Sequence, residues 1–182
     1  MDRDQLIALI ASADPLAAAR AAGVAPGGTV TFAHGPDPAG WLADGEAEGD
    51  VEAHRAAHAE GRPSIAAVAY GAGSSPEDVA DRLLALAALA RETGLLRAVV
   101  PVPGEGSSDR PGSWGVEDLV VIGAARAVLP ADVAVRPCWR RIGAPGAQVA
   151  AAFGATDWQI PDGDGNDPAR LAQAVGRTAV PR

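Results

Sequence analysis

Between His54 and Pro103 the chain reads helix, strand, helix, strand, and this alternation restricts the fold more than any other feature of the sequence. Ile65 to Ala69 is a short apolar run that stops at Tyr70-Gly71, which predicts a strand buried on both faces. Helix signals follow at once. Ser75 is a candidate N-cap, Pro76 suits the first helical position, and Glu77 and Asp78 complement the positive end of the helix dipole. Val79, Leu83, Leu86 and Ala90 fall on one face, and Gly94 stands where a left-handed C-cap is wanted. Leu96 to Val102 is the next apolar strand. Two such strands joined through a helix form a right-handed parallel crossover, so the fold class is α/β.

The 182 residues suit one domain, long enough for a real core but short for a closed eight-stranded barrel. Aromatic residues are only 4 % of the chain, so the core must be built from Ala, Val, Leu and Ile. A helix is expected from Gln5 to Ile10, and Ser12-Ala13-Asp14-Pro15 restarts a second one. Gly23 to Gly28 reads as a turn into a strand at Thr29 to Ala33. Residues 35–50 are polar and rich in Gly and Pro, a bridging loop with a short helical piece around Trp41. Gly104 to Gly115 is a second loop, at the strand end where parallel α/β folds place ligands. The expected domain therefore covers residues 1–160. Residues 161–182 read as a tail with a short helix, capped by Asp167 with Pro168 at its first position, and a frayed end.

A net charge of −8 argues against nucleic acid or an anionic membrane surface as partner. No apolar run reaches membrane-spanning length, and the opening Asp2-Arg3-Asp4 is unlike a secretory signal. The single cysteine, Cys138, excludes an internal disulfide, and a cytoplasmic location is expected. All 15 basic residues are arginine, which together with the abundant alanine reads as compositional bias.

Several pieces in fixed order resemble one family. They are His54-Arg55, Ala57-His58 and Gly61, then Tyr70-Gly71, then Asp81, Leu84, Leu89 and Glu92-Thr93-Gly94, then Val100-Pro101-Val102-Pro103. The amphipathic stretch Glu117 to Leu129, Cys138-Trp139, Gly143, Gln148 and Phe153-Gly154-Ala155-Thr156-Asp157 continue the series. Together they resemble the C-terminal part of the radical S-adenosylmethionine enzymes aminofutalosine synthase, dehypoxanthine futalosine cyclase and FO synthase. The resemblance implies a partial, truncated TIM-type βα barrel with parallel strands. Those enzymes hold an iron–sulfur cluster on three closely spaced cysteines, and this chain has one cysteine. If Thr29 to Ala33 matches the family's first strand, the cluster loop and several strands are missing before Asp50. The resemblance therefore implies ancestry without radical chemistry, and no iron–sulfur cluster or other cofactor is expected.

Other constellations have plainer readings. His54 and His58 share a helix face, but no third metal ligand is near them in sequence and a surface helix explains them as well. Asp162-Gly163-Asp164-Gly165-Asn166 opens like a calcium loop but fails at its sixth and twelfth positions, so no metal site is expected. Gly71 to Ser75 lacks the lysine of a phosphate loop, and the acids after it would repel an anion. Arg136-Pro137-Cys138-Trp139-Arg140-Arg141 is richer: it suits an edge strand able to hold an anion or meet an acidic partner. Cys138 reads as a buried structural thiol.

Candidate ligand-binding residues are Tyr70, Pro103, Arg136, Trp139, Arg141, Gln148 and Asp157; none is assigned a catalytic role. Two functions follow. One is a non-catalytic accessory or ligand-sensing pseudoenzyme linked to futalosine-pathway menaquinone or deazaflavin biosynthesis, covering its open edges as a dimer or on a full-length relative. The alternative is a small cluster-independent enzyme or small-molecule binder that uses the C-terminal strand ends. A closed pocket shared by Tyr70, Arg136 and Asp157 would favour the second, an open apolar surface the first.

Overall fold

Caps and turns in the sequence set most of the element boundaries. The computed structural model of the chain describes residues 1–35, 51–71, 73–105 and 115–182. Asp2 caps helix α1 (Arg3–Ala11) in a reciprocal box with Gln5, and Asp14 caps α2 (Pro15–Ala21). Strand β1 is Thr29–His34. Helix α3 (Val51–Ala59), β2 (Ser64–Tyr70), α4 (Pro76–Thr93) and β3 (Leu96–Pro103) form the predicted alternation. Ser75 caps α4, Pro76 opens it, and Gly94 ends it in the left-handed region at φ 64°. Then follow α5 (Val116–Val128), β4 (Ala134–Val135), α6 (Trp139–Ala151), β5 (Asp157–Ile160), α7 (Pro168–Ala174) and β6 (Thr178–Pro181). Gly143, at φ 67°, and Pro145 kink α6 near its start.

Among the described residues the strands form two three-stranded sheets, ordered β2-β3-β4 and β5-β1-β6, with every pairing parallel. A side-by-side link joins them. Thr156 N–H donates to the Val135 carbonyl at 2.9 Å, and Val135 N–H donates to Thr156 Oγ1 at 3.0 Å. The larger core packs Ala66, Val68 and Tyr70 of β2 and Val99 of β3 against α4 and α5, with Leu6 of α1 inserted. The smaller core gathers Val30, Trp158 and Ile160 beneath Trp139 and Ala147 of α6. In α5, a Cβ on Gly123 would stand 2.7 Å from Cβ of Ala18, so α2 and α5 touch through glycine.

The α/β class and the parallel strands agree with the sequence, while six short strands in two sheets do not by themselves establish the truncated TIM-type barrel. Three expectations are corrected. β2 is fully buried only at alternate residues, and its other face is half-buried. The end of the chain is not frayed, since β6 pairs with β1 and Arg182 N–H donates to the Phe32 carbonyl at 2.8 Å. Arg136 is not on an edge, because β4 pairs with β3 on one side and meets Thr156 on the other. The loop of 35–50 beyond Gly35, with its helical piece around Trp41, and 106–114 of the second loop lie outside the described residues.

Candidate functional site

β5 divides its side chains between the two sides of the sheet. Trp158 and Ile160 join the core under α6, and the Trp158 indole N–H donates to the Ala147 carbonyl at 3.0 Å. By strand alternation Asp157 and Gln159 take the opposite face. Asp157 is 1 % exposed. Its Oδ1 accepts from the Thr31 hydroxyl at 2.5 Å, and its Oδ2 accepts from Arg136 Nε at 2.6 Å. Arg182 Nε stands 3.4 Å from Oδ1, and its Nη2 donates to Gln159 Oε1 at 2.6 Å. Arg136 is 2 % exposed, so the Arg136–Asp157 pair is a buried one.

Pairing registers show what shares that face. Thr31 pairs with Asp157, and Ala33 with Gln159; Ala67 pairs with Val100, and Ala69 with Val102. Ile65, Ala67, Ala69 and Val102 are half-buried, as are Thr31 and Ala33. One side of the sheet is thus apolar over β2 and β3 and polar over β5 and β1, with partly exposed atoms in both parts. This is the candidate binding face.

Tyr70 belongs to the other side. It pairs with Pro103 at the strand ends, but its ring lies in the core under the helices and its hydroxyl donates to Asp118 of α5. Burial first, then the Asp118 charge, push the phenol far above its usual range, so it stays neutral. Glu117 lies over Gly71, where an added Cβ would be 3.5 Å from Oε2; burial and then Asp118 raise its carboxyl.

The remaining candidates hold structure in place. Trp139 stacks edge-on to Trp158 with centroids 6.1 Å apart, and its indole donates to Asp164 Oδ2 at 3.0 Å. Asp164 is therefore part of a loop clasp. Arg141 is exposed and donates to Glu105 at 2.6 Å. Gln148 donates to the Leu171 carbonyl at 3.1 Å, joining α6 to α7. Of the seven predicted residues the structure brings Arg136 to Asp157 and Tyr70 to Pro103. Cys138 is buried. His54 and His58 are buried too, which corrects the surface-helix reading. Among the described residues no group of three or more His, Cys, Asp and Glu is placed to hold a metal.

Sequence reasoning missed Thr31, Gln159, Arg182, Glu117 and Asp118. The alternation Asp-Trp-Gln-Ile in β5 was a usable signal for Gln159. Nothing local marked Arg182.

Similarity to a known enzyme covers much of the chain. Over 113 residues it is 30 % identical to the 5-amino-6-(D-ribitylamino)uracil–L-tyrosine 4-hydroxyphenyl transferase of Archaeoglobus fulgidus. The relationship is distant. The match takes in 59 % of this chain and 33 % of the archaeal enzyme, so the chain spans about a third of that relative's length. No protein-family model matches the chain. No helix among the described residues is long and apolar enough to cross a membrane.

Proposed function

We propose that this chain is a non-catalytic relative of the radical S-adenosylmethionine enzymes of deazaflavin-related biosynthesis, and that it binds a small molecule on its half-apolar, half-polar sheet face. On this reading the six strands are a shortened βα barrel. The similarity to the archaeal transferase supports descent, and a single buried cysteine gives this chain no set of thiolates for a cluster. The observation that carries the binding role is the face itself. Ile65, Ala67, Ala69 and Val102 leave partly exposed apolar surface on β2 and β3, and Thr31 and the Arg182–Gln159 pair supply the polar part beyond β4. A flat heterocycle with polar substituents suits such a divided surface. The relative's name supplies two candidates, 5-amino-6-(D-ribitylamino)uracil and L-tyrosine.

Titration calorimetry of the purified chain with each compound is the test. Saturable binding of either one, weakened by Ala67→Glu, is the expected result. No heat with both compounds, in a protein that is folded by circular dichroism, removes the reading.

An accessory role, as a dimer or on a full-length relative, draws on the outer strands β2 and β6 and on Val180, which is 40 % exposed. Light scattering of the chain alone and mixed with such an enzyme separates that role from simple ligand binding. A small cluster-independent enzyme draws least support, because Tyr70 and the Arg136–Asp157 pair lie on opposite sides of the sheet.

A further inference from the structure

Helix α3 is docked through its histidines. Its buried residues are His54, Ala57 and His58, with the rings 0 % and 6 % exposed. Ser64, the first residue of β2, stands between them. Its hydroxyl is 2.8 Å from His54 Nδ1 and 2.8 Å from His58 Nε2. His58 Nδ1 is in turn 2.8 Å from the hydroxyl of Thr93, at the end of α4.

One bond fixes the direction of the whole chain. The Thr93 hydroxyl donates its proton to the Leu89 carbonyl at 2.9 Å, so it accepts from His58. His58 therefore carries its proton on Nδ1 and accepts the Ser64 hydroxyl proton on Nε2. The Ser64 oxygen then accepts from His54 Nδ1–H. Four side chains on three elements are linked in one arrangement, and it requires a neutral His58. A proton on His58 Nε2 makes that atom a donor, and the Ser64 hydroxyl then meets donors on both sides and loses its acceptor.

Among the described residues the charges near His58 pair with one another. α3 carries Glu52 and Arg55, the turn after it Glu60 and Arg62, and the end of α4 Glu92; β2 carries none. Arg55 pairs with Glu92 and stands 3.5 Å from Glu52, while Arg62 pairs with Glu60. Burial first, then Arg55, hold His58 below its usual range. Apart from its histidines α3 contributes Ala57, a partly buried Val51 and the part-exposed Arg55–Glu92 pair to the fold. The core between β2, β3 and α4, with Val68, Leu83, Leu86 and Val99, does not depend on either ring.

We propose that α3 is a pH-sensitive latch: protonation of His58 undocks it from β2 and α4 in mildly acidic solution while the rest of the fold stays closed. The proposal is independent of any ligand on the sheet face.

The test is hydrogen exchange read by mass spectrometry at pH 7.5 and pH 5.0, corrected for intrinsic rates. Protection of residues 51–59 is expected to fall by about thirtyfold, the linkage of the one imidazole, His58, that gains a proton on opening. Protection of residues 79–90 is expected to hold. In His58→Gln that fall should disappear. Equal protection of α3 at both pH values overturns the proposal, as does loss of α3 and α4 together. Nitrogen-15 NMR of the unaltered protein gives a check that needs no variant. Nδ1–H on both rings at pH 7.5 is expected, and Nε2–H on His58 overturns the latch.

Discussion

Asp157 accepts hydrogen bonds from Thr31 of β1 and from Arg136 just after β4, and it faces the Arg182 charge beyond β6, so most of the polar half of the sheet face depends on it. Asp157→Ala would leave Arg136 buried without its carboxylate, a loss of about 3–5 kcal/mol. Thr31→Val removes one neutral donor and should cost about 1 kcal/mol. Urea denaturation of the two variants gives both values, and equal losses would mean that the ion pair does not govern this site. Glu117 behaves in the opposite sense. Its folded carboxyl titrates above its unfolded value, so the fold binds more protons there and stability falls as pH rises through that window. Glu117→Gln should therefore raise Tm at pH 7 and leave it nearly unchanged at pH 3, where both states are protonated. At this scale the sequence disclosed residue types but few partners. Arg136 and Asp157 were both legible as candidates; that they bond each other depends on β4 and β5 lying side by side, which no local signal encodes.

Elements were legible where their signals are local. Ser75, Pro76 and Gly94 act through neighbours a few residues away, so α4 follows from sequence with both ends correct. The α3 histidines show the limit. Spacing of four places them on one face, but whether that face meets water or Ser64 depends on where α3 lands. Packing between helices was equally hidden. Gly123 looks like a weak point in a helix, yet it lets α5 approach α2 to where an added Cβ would meet the Ala18 carbonyl carbon at 2.9 Å. Gly123→Ala gains helix propensity and still should lose about 1–3 kcal/mol, because backbone must move. A thermal melt decides it: any gain in Tm would show that the α2–α5 contact yields easily.

Across the whole molecule the α/β class, the parallel strands and the larger core were readable, because apolar runs and helix faces carry them. The smaller sheet was not. β6 is four residues long and mostly exposed, so its composition resembles a tail; only pairing with β1 makes it a strand. Removing residues 178–182 takes away that pairing and the Arg182 contacts. Hydrogen-exchange protection of β1 should drop by at least tenfold, while β2 and β3 keep theirs, and a uniform loss would mean the two sheets open as one unit.

The strand order also fixes a sequence of events during synthesis. β2 and β3 are separated by one helix, so their half of the sheet finds its partners soon after it leaves the ribosome. β1 is made earlier but pairs with β5 and β6, with Thr31 bonding a residue 126 positions later. It must remain unpaired while nearly all of the intervening chain is translated, exposing Val30 and Phe32 for that time. Among the described strands β1 thus emerges first and completes its pairing last.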